Sequence, residues 1–184
     1  MLLQYFLRNF RRRILGTMMV IALAITPAVA QTPLKVYTVT TVNIGSGNKA
    51  ADFTWTEDGK TVSLSEVGKN KVVFLNFWAT WCAPCRKEIP DIIELMAEFP
   101  ETEFVVIGIS VDRDADVAKT VSKFMRAKKI PYRVLISNDK LLEAYGGISD
   151  LPTTFILNSD GTIAVKILGG KTKEEFKAAI KKAR

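Results

Sequence analysis

The chain has 184 residues, enough for one well-buried domain and short for two independent cores. Its apolar fraction of 48% and charged fraction of 24% are those of an ordinary globular protein and exclude a disordered tract, a collagen-like repeat and a polytopic membrane protein. The formal charge of +7 falls to near +3, with 22 bases facing 19 acids, once Arg8, Arg11, Arg12 and Arg13 are set aside as part of a leader, and so weak an excess does not call for a nucleic-acid surface.

Those four arginines precede an apolar run over residues 14–25, then Pro27 and the small-residue sequence Ala28-Val29-Ala30, the pattern of a signal peptide spanning residues 1–30. The run is shorter than the roughly 20 residues a membrane-crossing helix needs, so cleavage after Ala30 is expected, with an uncleaved inner-membrane anchor as the alternative. Both readings place the domain in the periplasm or its extracytoplasmic equivalent. No cysteine lies near the end of the leader to carry a lipid.

Residues 31–49 read as an N-terminal extension: a Val- and Thr-rich stretch suited to an extended edge strand, followed by the flexible link Gly45-Ser46-Gly47-Asn48. The main domain is expected over residues 50–184. It opens with a β-hairpin turning at Asp58-Gly59. Residues 72–77 and 104–109 are nearly unbroken apolar runs, predicting central parallel strands covered on both faces. Between them Ile89, Ile92, Ile93, Met96 and Phe99 recur at helical spacing, with Pro90 predicting a kink. Asp114 is the expected cap of a second helix buried through Val117, Val121, Phe124 and Met125, ended by Pro131 before a strand over residues 133–136. A short helix from Asp139 to the Gly146-Gly147 pair, a hairpin about Ser159-Asp160-Gly161, and a final helix opened by a Thr172/Glu175 capping box complete the pattern. The predicted class is α/β, a mixed sheet with helices on both faces.

The chain's two cysteines stand in Trp81-Cys82-Ala83-Pro84-Cys85-Arg86, directly after a buried strand and at the start of a helix. A thiolate at a helix N-terminus is stabilised by unpaired N–H groups and the helix dipole, which marks Cys82 as the nucleophile. Cys85, one turn on, is placed to resolve a mixed disulfide. A zinc site needs four ligands, and with no histidine and no third cysteine only carboxylates remain, so no metal is expected. A purely structural disulfide over so short a loop would constrain little unfolded-chain entropy. The missing histidine also removes Cys-His and Ser-His-Asp catalysis.

Over residues 50–182 the sequence resembles the thioredoxin superfamily, and within it the exported TlpA and ResA type of thiol-disulfide oxidoreductase. Two motifs carry the resemblance: Phe77-Trp78-Ala79-Thr80-Trp81-Cys82-Ala83-Pro84-Cys85 and Leu151-Pro152-Thr153-Thr154-Phe155. It implies a thioredoxin-like three-layer α/β/α fold with an N-terminal β-hairpin and an extra βα crossover over residues 111–136. It implies a cis Leu151-Pro152 bond facing the cysteines, with Leu151, Pro152 and Thr153 offering backbone to a substrate segment. Asn76 stands where cytoplasmic thioredoxins carry a buried aspartate, and Glu88 matches a glutamate of the ResA type that influences thiol ionisation. A solvated helix glutamate is the alternative for Glu88, and a plain turn proline the alternative for Pro152. Trp81, then Trp78, are expected to shape the docking surface, although a strand-end aromatic is often simply core.

Ala83 and Pro84 place no cation beside Cys82, so the expected direction is reductive, with no cofactor beyond the Cys82–Cys85 disulfide. The resemblance further implies a membrane thiol-reducing donor and substrates such as apocytochrome c or copper-site proteins; a monomer without nucleic acid is expected. Two rival functions remain: a thioredoxin-fold peroxidase, whose Thr-x-x-Cys motif Thr80-Trp81-Cys82 does not match, and a non-catalytic binding module.

Overall fold

The computed structural model describes residues 35–183; the leader lies outside the described residues. Eight strands form one sheet: β1 (Val36–Asn43), β2 (Asp52–Glu57), β3 (Lys60–Ser63), β4 (Val72–Trp78), β5 (Phe104–Ser110), β6 (Arg133–Ile136), β7 (Thr153–Leu157) and β8 (Ile163–Leu168). Among the described residues five helices accompany them: α1 (Leu64–Val67), α2 (Ala83–Met96), α3 (Val117–Lys128), α4 (Asp139–Ala144) and α5 (Lys173–Ile180).

The strand order is β3-β2-β1-β6-β5-β4-β7-β8. β1, β6, β5 and β4 run parallel, while the hairpins β2–β3 and β7–β8 close the two sides with antiparallel pairs. Asp58 and Gly59 turn the first hairpin with φ of 51° and 77°, the two positive values that a two-residue turn matched to strand twist requires. Side chains alternate along β4: Phe74 and Trp78 join the layer of α2, α3 and α5, whereas Val73, Leu75 and Phe77 join that of α1 and α4. Asn76, between Phe74 and Trp78 in this alternation, therefore lies on the α2 side.

Two expectations need correction. β1 is an interior strand, paired with β2 on one side and β6 on the other. Residues 36–43 are thus part of the sheet and neither an edge strand nor a linker; Val39, 4% exposed, packs beneath β1 among Phe53, Trp55 and Leu135. The link after it is tied down as well, since Asn48 Nδ2 donates to the Ile163 carbonyl and Ala50 N–H to that of Gly161. The α3 cap position falls to Asp116, whose side chain makes no capping bond, while Asp114 Oδ1 accepts from the Asp116 N–H and the Thr120 hydroxyl. The other capping expectation is met, with Thr172 and Glu175 bonding each other's backbone at the start of α5.

Candidate active site

The turn after β4 brings the chain straight into α2 with Cys82 as its N-cap. Pro84 stands in the first turn, where its missing N–H would have had no helical partner, and Pro90 removes one internal donor further on. Cys82 and Cys85 form a disulfide with Cα atoms 5.3 Å apart, and Cys82 Sγ accepts a hydrogen bond from the Cys85 N–H at 3.3 Å. The same backbone donor and the helix dipole stabilise a Cys82 thiolate after reduction.

The pair is asymmetric. Cys85 is fully buried, while Cys82 is 5% exposed and opens into a groove of about 300 Å³ lined by Trp81, Cys82, Ala83, Pro84, Ser149 and Leu151. Trp81, 69% exposed, forms one wall, and Leu151 of the cis Leu151-Pro152 bond another. Pro152 and Thr153, expected beside Leu151 at the substrate, do not line the groove: the Pro152 carbonyl accepts from the Gly169 N–H, and the buried Thr153 hydroxyl donates to the Asp150 carbonyl. Trp78 belongs to the core, ring against ring with Phe124 at 5.2 Å between centroids.

Beneath the disulfide lies a buried polar cluster. Asn76 Nδ2 donates to Glu88 Oε1 at 2.9 Å and to Thr154 Oγ1 at 3.0 Å. Glu88, three residues after Cys85 on the same buried face of α2, is only 3% exposed. Burial pushes its carboxyl up to about 7; the Asn76 hydrogen bond and the Lys171 backbone amide partly offset this, and Asp91 adds repulsion. Glu88 Oε2 has no partner within normal hydrogen-bond distance and angle among the described residues. Among the described residues the buried Tyr132 hydroxyl has no partner, and its ionisation is pushed up by burial and by the Glu88 charge. Glu88 is thus a desolvated acid able to hold or release a proton near neutrality, and no solvated surface residue.

Asp112 is a site residue that sequence reasoning missed. Its carboxylate, 3% exposed, accepts from the Thr80 N–H at 3.2 and 3.0 Å, the Thr80 hydroxyl at 2.6 Å and the Ser110 hydroxyl at 2.8 Å. It clamps the turn whose next step is Cys82; the Cys82 N–H in turn donates to the Ala79 carbonyl at 3.2 Å. The available signal was an acid at the end of a buried strand in Ser110-Val111-Asp112. Among the described residues no group of three or more His, Cys, Asp or Glu side chains is placed to hold a metal.

An asymmetric dithiol pair capping a helix, faced by a cis-proline loop on this sheet, defines the thioredoxin-fold thiol-disulfide oxidoreductases. The chain belongs to the AhpC/TSA family, whose profile matches residues 46–166. It is 35% identical over 137 residues to the thiol-disulfide oxidoreductase ResA of Bacillus thuringiensis, covering 74% of this chain and 77% of that protein. Among solved structures, a thiol:disulfide interchange protein of the thioredoxin family from Chlorobium tepidum superposes with a TM-score of 0.66 at 32% identity, over 76% of this chain and 97% of that one. The exposed lipoprotein thioredoxin of Streptococcus pneumoniae superposes with a TM-score of 0.59 at 28% identity, over 71% and 98%. The protein is a thiol-disulfide oxidoreductase acting through Cys82 and Cys85.

Proposed function

We propose that this oxidoreductase works outside the cytoplasm as a reductant of disulfides in exported proteins. The observation that carries the direction is the composition of the groove: Ala83 and Pro84 lie between the cysteines, and no cation lines the groove to over-stabilise the reduced Cys82. The Cys82 thiolate attacks one sulfur of a substrate disulfide, forming a mixed disulfide and releasing the other sulfur, which takes up a proton. Cys85 then gives up its proton, attacks Cys82 Sγ and releases the second substrate sulfur as a thiol. Two electrons and two protons pass to the substrate, and the pair is left as the Cys82–Cys85 disulfide. Glu88, one helical turn beyond Cys85, carries the proton that Cys85 loses.

The leader pattern supports export, as does the likeness to an exposed lipoprotein thioredoxin. Among the described residues no helix is long and apolar enough to cross a membrane. In this reading a membrane thiol-reducing donor recharges the oxidised pair, and the cysteines of apocytochrome c or of copper-site proteins are substrates of the expected kind. Equilibration of the protein in graded thiol-disulfide buffers tests the direction. A potential of roughly −270 mV or lower is expected, and one near roughly −120 mV would make the protein an oxidant.

A further inference from the structure

Residues 117–132 carry five cations, Lys119, Lys123, Arg126, Lys128 and Lys129, and no acidic residue. All five are exposed, and none forms an ion pair among the described residues. The neighbouring helices of the same layer behave differently: Lys173 and Lys177 of α5 reach Glu94 of α2 and Glu98 just beyond its C-terminus. On α3 the cations at 119, 123 and 126 follow one another at i, i+4 and i+7, so each stands beside another positive charge, an arrangement that destabilises a helix. The helix dipole accounts for Arg126 and Lys128 in the last turn, but it opposes Lys119 in the first turn and does not account for Lys123 at mid-helix. Lys129 ends the helix at φ 53°, a left-handed position that glycine would occupy with less strain. Asp114 and Asp116 lie just before the stripe and mark where its positive field ends.

The stripe is joined to the reactive groove by one residue. Arg86 donates its backbone N–H to the Cys82 carbonyl at 3.1 Å, while its guanidinium lies 6.0 Å from the centroid of the Phe124 ring on α3. Phe124 is half-buried on the flank of α3, about 100° around the helix from Lys123, so Arg86 lies beside the edge of the stripe. A polypeptide whose disulfide meets Cys82 can therefore run past Arg86 onto α3. Lys119, Lys123 and Arg126 share one face and form the stripe, whereas Lys128 lies on the opposite side of the helix and Lys129 caps it; from 119 to 126 the stripe is about 10 Å long, the span of about three extended residues.

Resting on the oxidoreductase reading, we propose that the α3 stripe and Arg86 dock an acidic segment flanking the disulfide of the protein partner. A lipid surface fits less well, because Val121 and Met125 are buried in the core and Val117 and Phe124 are half-buried against it, which leaves no apolar face opposite the core to enter a bilayer.

The test uses the full chain, reduced, with two peptides that share one intramolecular disulfide and differ in a flanking run of four glutamates or four glutamines. At low salt the acidic peptide is expected to be reduced with kcat/KM about tenfold higher, an advantage that shrinks as ionic strength rises. In the triple variant Lys119→Glu, Lys123→Glu, Arg126→Glu the ratio of the two rates is expected to fall to one or below. Equal rates in the parent, or a ratio unchanged in the variant, would overturn the docking proposal alone; reduction of neither peptide would overturn the exchange reading and the proposal with it. Equal peptide rates combined with binding to phosphatidylglycerol vesicles that the triple variant loses would assign the face to lipid instead.

Discussion

Because burial holds the Glu88 carboxyl at about 7 against an ordinary 4.5, the folded protein takes up a proton there that the unfolded chain releases between those values. Its contribution to stability is fully present below pH 4.5 and is lost as pH rises through 7. Urea unfolding of the oxidised parent and of Glu88→Gln across this window is expected to show the parent losing up to about 3 kcal/mol relative to the variant. A difference that stays flat would mean a solvated carboxyl. Asp112 acts through the backbone. Asp112→Asn turns one acceptor into a donor facing the donors of Thr80 and Ser110, and should cost about 2 kcal/mol. With the turn loosened, Cys82 Sγ loses its fixed position on the Cys85 N–H, so its thiol pKa is expected to rise, read from the pH dependence of its alkylation. An unchanged thiol pKa would make Asp112 a stabilising residue only.

At the level of elements, what was legible depended on how local the cause was. Cys82, Cys85 and the Asp58-Gly59 turn are written in a few adjacent residues, and so is the Thr172/Glu175 cap. Asp112 reaches Thr80 across 32 positions, and a bond made by two strands meeting leaves no mark in either segment alone. β1 was misplaced for a similar reason. Its Val-Thr alternation suits any half-exposed strand, and only the long-range partners, Val134 to Ile136 on one side and Asp52 to Trp55 on the other, put it inside the sheet. A chain begun at residue 44 would leave both partners with unpaired edges and uncover Val39's site among Phe53 and Trp55. Such a truncation is expected to unfold at markedly lower urea concentration or to aggregate, as gel filtration would reveal; a monomer of parental stability would show that the hairpin and β6 need no strand between them.

Across the whole molecule the two layers of helices divide the work. α2, with α3 and α5 beside it, carries the disulfide, the buried acid and the basic stripe, while α1 and α4 cover the other face around Phe53, Trp55 and Tyr145. The covalent link itself spans only three positions of one chain segment and joins no two elements of this scaffold. Opening it therefore releases very little chain freedom. The sheet and its two cores, and not this link, hold the architecture together, so the protein can serve as a two-electron carrier, charged and discharged at one end of a single helix.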